Sequence, residues 1–267
     1  MKQNDQTLPV LEVKGLTMDF GGLRAVDHVD MEIQNGEIVA LIGPNGAGKT
    51  TFFNCITGIY TPTSGDIIVH TKFGEKRING KKPNQVTELG LARTFQNIRL
   101  FPNMTVLENV MIGRHCRTKA KVIGALLRDP GTRKEEKDAA AVSYGILEKI
   151  GLTHLANEMA SNLPYGAQRK LEIARALATE PVLLLLDEPA AGMNPQETEE
   201  LTGLIREIRD QDKIAILLIE HDMKLVMNLS DRIYVMDHGQ RIAAGTPMEI
   251  KNNPEVIKAY LGEEADA

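Results

Sequence analysis

Gly43-Pro44-Asn45-Gly46-Ala47-Gly48-Lys49-Thr50-Thr51 is the stretch on which the reading of this chain turns. It fits the spacing G-x-x-x-x-G-K-[ST], and each residue type has a physical reason to be there. Glycines let the backbone curl so that successive N–H groups face one concavity, a nest for an anion. A helix expected from Thr50 to about Gly58 adds its positive end. Lys49 supplies a mobile point charge for the β- and γ-phosphates of a nucleotide, and the Thr50 hydroxyl suits Mg²⁺. The apolar run Ile38–Ile42 just before the loop reads as a strand, which completes the strand–loop–helix context. ATP and Mg²⁺ are therefore the expected ligands.

Upstream of the loop, Val10–Val13 and Val29–Ile33 read as further strands, with turns at Phe20-Gly21-Gly22 and Asn35-Gly36. Downstream, Ser64-Gly65 turns the chain into a strand at Asp66–His70. Residues 97–163 are rich in charge, Ala and Leu at helical spacing and read as a mostly helical insertion. Asp129-Pro130-Gly131 is expected to interrupt it with a turn, and Lys134–Asp138 to line a solvated helix face.

A second decisive stretch is Leu183-Leu-Leu-Leu186-Asp187-Glu188-Pro189. A continuous apolar run ending in carboxylates marks a strand buried on both faces. Ligands of open α/β sheets bind outside the carboxyl ends of such strands. Asp187 is thus suited to hold Mg²⁺ through water, and Glu188 to polarise the attacking water. Asn194-Pro195-Gln196-Glu197 reads as a capped helix start, followed by an apolar face at Leu201, Leu204, Ile205 and Ile208. Another buried strand, Ile214–Ile219, ends in Glu220-His221-Asp222, which puts His221 within possible reach of a γ-phosphate. Strand–helix–strand with two buried strands implies a parallel α/β sheet.

The bulk properties exclude several classes. The 267 residues suffice for one large or two modest domains, and the formal net charge of −5 disfavours a general nucleic-acid binder. Two cysteines, Cys55 and Cys116, form neither a metal-spaced cluster nor a disulfide framework, as in a reducing cytoplasm. The polar N-terminus lacks a secretory signal. The longest apolar runs fall far short of the roughly 20 residues of a membrane helix, so work at a membrane would require a partner.

These motifs, in this order, resemble the ATP-binding cassette (ABC) ATPase family over about residues 10–262. The resemblance implies an α/β P-loop NTPase core with an N-terminal antiparallel β subdomain and a helical insertion subdomain. One domain is expected over 9–262: core at 9–96 and 164–250, helical subdomain at 97–163, C-terminal tail at 251–262. Residues 1–8 and 263–267 are expected to be disordered. It also implies that Phe20 stacks on adenine, that Gln96 in Arg93-Thr-Phe-Gln96 touches Mg²⁺ or the water, and that His221 is a switch histidine. The family signature, usually Leu-Ser-Gly-Gly-Gln, corresponds to Leu163-Pro164-Tyr165-Gly166-Ala167, and Ala191-Gly-Met-Asn194 to the D-loop. In the family, the signature reaches across a dimer to the opposite subunit's γ-phosphate; here Gly166 keeps its N–H for that role. Pro164 removes one hydroxyl donor, which implies a slower but active site.

Within the family, Phe20-Gly-Gly-Leu-Arg-Ala-Val26, Ala190-Ala-Gly192, Ile219-Glu-His-Asp-Met-Lys-Leu-Val226, Gly124-Ala-Leu-Leu-Arg128 and the tail from Gly245 to Gly262 look like the LivG-type ATPases of branched-chain amino acid importers. That likeness implies a second ATPase subunit (a copy of this chain or a paralogue), two transmembrane permease subunits and, indirectly, an extracytoplasmic solute-binding protein, with no nucleic acid. It implies peripheral attachment to the cytoplasmic face of a bacterial or archaeal plasma membrane. Lipid or lipopolysaccharide extraction is a competing reading. So are a soluble assembly or scaffold ATPase and a regulator that binds nucleotide without turnover.

Overall fold

The computed structural model describes residues 8–71, 74–117 and 130–266. The insertion residues Gly124–Arg128 and the first seven residues lie outside that range. Two sheets form the frame. The first has strands β1 (Leu11–Phe20), β2 (Leu23–Ile33), β4 (Ser64–Thr71) and β5 (Gly74–Arg77) in the order β2-β1-β4-β5, all antiparallel. The second has β3 (Ile38–Ile42), β6 (Leu91–Arg93), β7 (Leu183–Asp187), β8 (Ala215–Ile219), β9 (Arg232–Asp237) and β10 (Gln240–Gly245) in the order β10-β9-β3-β8-β7-β6. Every pair in it is parallel except β9–β10.

The period of two along a strand explains the apolar runs of this second sheet. Ile38, Ala40, Ile42, Leu184, Leu186, Ile216 and Leu218 join one buried cluster, on the helical side. Val39, Leu41, Leu183, Leu185, Leu217 and Ile219 join the other, with the inner face of the antiparallel sheet and Phe52 and Phe53. The central strands are therefore apolar at every position because both faces are covered.

Helix α1 (Lys49–Ile56) follows the phosphate loop, and α2 (Pro83–Glu88) precedes β6. The insertion carries α3 (Val106–Arg114) and α4 (Pro130–Lys149), and α5 (Tyr165–Leu177) packs against both. Thr105 caps α3 in a capping box with Glu108. Helix α4 already includes Pro130 and Gly131, where the sequence reading places a turn. Proline is at home in a first helical turn, because the N–H it lacks would be unpaired there. Glu136, Lys137 and Asp138 of α4 are exposed, as their charges suggest.

Helix α6 (Pro195–Asp212) starts on an Asn194 cap boxed with Glu197, and it buries Leu201, Leu204, Ile205 and Ile208. Helices α7 (Met223–Leu229), α8 (Pro247–Lys251) and α9 (Pro254–Asp266) complete the chain. Helix α9 continues to Asp266. Glu263, Glu264 and Ala265 favour helix, and Gly262 alone does not break it. Among the described residues no helix is long and apolar enough to cross a membrane.

Candidate functional site

The loop between β3 and α1 is clasped by backbone from both sides. At Gly43 (φ 148°) a Cβ would lie 1.9 Å from the Met236 carbonyl oxygen, and at Gly48 (φ 95°) 2.3 Å from that of Ala25. Only glycine permits those approaches. The Lys49 side chain, 6% exposed, folds back over the curl; its Nζ donates to the carbonyl oxygens of Gly43 at 2.6 Å and Pro44 at 2.7 Å. Asn45, Gly46 and Thr50 are exposed, while Ala47 is buried beneath the curl and its carbonyl accepts from Gly239 N at 3.1 Å. Thr51 is half-buried in the first turn of α1.

Sheet register brings the carboxylates to the same edge. Leu41 of β3 is level with Ile219 of β8, and Ile219 with Asp187 of β7. Asp187 and Glu188 thus emerge two strands from the loop. Glu188 is left-handed (φ 47°), a conformation costing a non-glycine residue about 1 kcal/mol. Its backbone is held there by Glu188 N donating to Ile219 O at 2.9 Å and by Ala191 N donating to Glu188 O at 3.2 Å. Its carboxylate meets two residues that the resemblance assigns to the site: Gln96 Nε2 donates to Oε2 at 2.8 Å, and His221 Nε2 stands 3.0 Å from Oε1. Glu188, Gln96 and His221 are therefore one cluster, although 92 residues separate Gln96 from Glu188.

The residues expected from the sequence to hold a cation would offer the Thr50 hydroxyl, the Gln96 amide oxygen and the Asp187 carboxylate, whose Oδ2 already meets Arg93. All are hard oxygens, which suits Mg²⁺ completed by phosphate and water. Phe20 ends β1 with 41% of its surface exposed, edge-on to Tyr60 at 5.2 Å between ring centroids. Gly166 lies buried in the first turn of α5. A Cβ there would meet Glu197 Oε1 at 2.7 Å, so the signature turn sits tightly on the cap of α6.

Two charged residues escaped the sequence reading as functional. Arg93 Nη2 pairs with Asp187 Oδ2 at 2.6 Å, while its Nη1 donates to Asn54 Oδ1 at 2.7 Å and Thr57 Oγ1 at 3.2 Å. Both side chains of that pair are over nine-tenths buried. Arg93 ends a strand of three residues, too short for periodicity to reveal. The second is Glu220, 4% exposed, which accepts from Ala190 N at 2.8 Å and from His221 N at 3.1 Å. It fastens the turn after Glu188 to the turn bearing His221.

Burial pushes the Glu220 carboxyl above its ordinary value, with the charge of Glu188 adding to the effect and backbone N–H groups opposing it. A folded-state pKa above the unfolded one means the folded chain binds more protons, so this group's contribution to stability declines as pH rises. In Glu220→Gln that component disappears. Thermal midpoints measured at about pH 5 and about pH 7 should then show a smaller loss, or a larger gain, across the interval than in the parent chain. An identical pH dependence would contradict the buried-carboxyl account.

Comparison with known proteins agrees with this geometry. Residues 26–191 match the family described as ABC transporter, and residues 240–266 one described as branched-chain amino acid ATP-binding cassette transporter. The chain is 53% identical over 255 residues to the Salmonella typhimurium protein named high-affinity branched-chain amino acid transport ATP-binding protein LivG, covering 96% of this chain and 98% of that one. It is 48% identical, over the same shares, to the corresponding protein BraF of Pseudomonas aeruginosa. A solved ATP-binding cassette of an ABC transporter, in its ADP conformation, superposes with a TM-score of 0.82 at 33% identity, covering 96% of this chain and all of that one. A curled phosphate loop and a paired carboxylate on one sheet edge, carried on a fold and a sequence shared nearly end to end, make this chain a member of the ATP-binding cassette family of transport ATPases.

Proposed function

We propose that the chain is the ATP-hydrolysing subunit of an importer for branched-chain amino acids, acting in a dimer of cassettes beneath two permease subunits. The observation that carries the hydrolytic part is the Glu188 carboxylate held between Gln96 and His221 beside the phosphate loop. The transported solute rests on near full-length identity to relatives named for branched-chain amino acid transport, and on the matching tail.

In this reading, the loop amides and Lys49 bind the β- and γ-phosphates, and Phe20 offers its exposed ring to adenine. Thr50, Asp187 and Gln96 would hold Mg²⁺, which supplies charge neutralisation between the phosphates. Glu188 accepts a proton from water aligned on the γ-phosphate, and His221, already against Glu188, holds that carboxylate in line. Catalysis is positioning and charge stabilisation rather than covalent chemistry. Gly166 N–H serves the nucleotide held by the opposite cassette. Loss of the γ-phosphate removes charge-assisted bonds to both cassettes and lets them part.

Deleting the gene should abolish uptake of leucine, isoleucine and valine that depends on ATP, and restoring it should return uptake. Uptake unchanged by the deletion, with lipid extraction lost instead, would favour the competing reading. The signature offers a separate test. Pro164 is the N-cap of α5 and makes no side-chain cap. Pro164→Ser supplies a hydroxyl both for that cap and toward the opposite phosphate. Turnover in the assembled complex should rise roughly threefold to tenfold, as expected for one added hydrogen bond worth about 1 kcal/mol; an equal or lower rate would count against it.

A further inference from the structure

Tyr165 stands where the family signature has glycine, and the structure gives its hydroxyl two bonds. Tyr165 Oη donates to the Ala191 carbonyl oxygen at 2.9 Å and accepts from Arg169 Nη2 at 2.9 Å. A Cβ on Gly192 would lie 3.4 Å from the Tyr165 ring, so the ring rests against the D-loop backbone. Arg169, 3% exposed, reaches the other way: Nη1 donates to Phe95 O at 2.7 Å and Nη2 also to Gln96 O. Glu172, 1% exposed, reinforces that end by accepting from Phe95 N at 3.4 Å and Arg99 N at 3.3 Å. Positions 165, 169 and 172 share one face of α5 because i, i+4 and i+7 align on a helix.

With the bonds of Glu188, these contacts close a ring. The Gln96 side chain bonds the Glu188 carboxylate; Glu188 O accepts from Ala191 N; Ala191 O accepts from Tyr165; Tyr165 accepts from Arg169; Arg169 returns to Gln96 O. We propose that Tyr165 and Arg169 are positioning residues that close this ring within one subunit, so that any displacement of the Gln96 segment is passed to the D-loop and to Glu188. The reason is energetic. Arg169 is a buried cation paired with the Glu172 carboxylate at 3.5 Å, and its other bonds run to backbone oxygens on one side and to Tyr165 on the other. Separating the two segments strands polar groups away from water, which is costly. The ring moves as a unit at less cost than it opens.

The proposal rests on the hydrolytic role given above to Gln96 and Glu188, and its test separates the two. Amide hydrogen exchange is measured on the purified chain for residues 95–99 and 190–193, alongside ATP turnover. Tyr165 is 43% exposed, so Tyr165→Phe removes the hydroxyl without emptying the core. Exchange should accelerate by about threefold or more in both segments, although Tyr165 bonds only the second directly. Turnover should fall by about threefold to tenfold with the KM for ATP within about twofold, because the phosphate loop is untouched. Arg169→Lys should accelerate exchange at 190–193, which Arg169 does not touch. Faster exchange confined to 190–193 in Tyr165→Phe, or an unchanged turnover number, overturns the ring. A parent chain that binds and hydrolyses no ATP would overturn the hydrolytic reading instead, while the exchange measurement would still decide whether the ring exists.

Discussion

Lys49→Ala is expected to weaken ATP binding by about two orders of magnitude or more, measured by calorimetry on the purified chain. A hydrogen bond to a charged group contributes about 1.5–3 kcal/mol, and the proposed role of Lys49 is contact with two phosphates. About 3 kcal/mol corresponds to roughly a hundredfold in affinity. The structure shows why no neighbour can take over. The amine is set inside the curl, 2.6 and 2.7 Å from the carbonyl oxygens of Gly43 and Pro44, and the surrounding loop contributes only backbone and small side chains. The substitution also removes those two bonds, so a modest fall in the thermal midpoint is expected with it. Unfolding and lost affinity are separated by recording circular dichroism on the same sample. Binding at parental strength in a folded variant would end the phosphate-loop assignment.

Glu188→Gln should lower ATP turnover by about 10²- to 10⁴-fold, the usual contribution of a positioned general base, while nucleotide affinity stays near the parent value. Glutamine matches glutamate in shape and tolerates the same left-handed backbone no worse. Its amide oxygen can still accept from Gln96, and its amide nitrogen can donate to His221. The cluster therefore survives with the one change that matters, the loss of a proton acceptor. With the γ-phosphate uncleaved, cassettes should accumulate as dimers in the presence of ATP and Mg²⁺, visible by size-exclusion chromatography with light scattering. Substantial residual turnover in this variant would remove Glu188 from the role of base. A turnover loss accompanied by loss of ATP affinity would point to a binding role instead.

The two results bear on different parts of the site. In the proposed mechanism Lys49 acts on the phosphates already present in the ground state, so its loss should read out as affinity. In the proposed mechanism Glu188 acts only as water attacks, so its loss should read out as rate. Arg93 belongs to neither class. Its ion pair with Asp187 is almost wholly buried and shared with Asn54 and Thr57, so it orients the carboxylate expected to hold the cation.

What could be read from the chain alone was whatever depends on neighbours in sequence. The glycine curl was legible because a strand, a G-x-x-x-x-G-K-T spacing and a helix start are consecutive, whereas the clasp of Gly43 by Met236 and of Gly48 by Ala25 was not. The buried strands at 183–187 and 215–219 were legible as aliphatic runs, and the start of α6 as a capping box from Asn194 to Glu197. The parallel sheet followed from their order. Long-range partners were not legible, because no periodicity encodes which side chain meets which after the sheet assembles. Only the tertiary structure brought Gln96 and His221 onto Glu188, buried Glu220 between two turns and paired Arg93 with Asp187. It also gave Tyr165, in sequence merely a departure from a motif, a bond to the D-loop across 26 residues. Sheet register decided these meetings: fixing Leu41, Ile219 and Asp187 level with one another gathers three distant loops at a single edge.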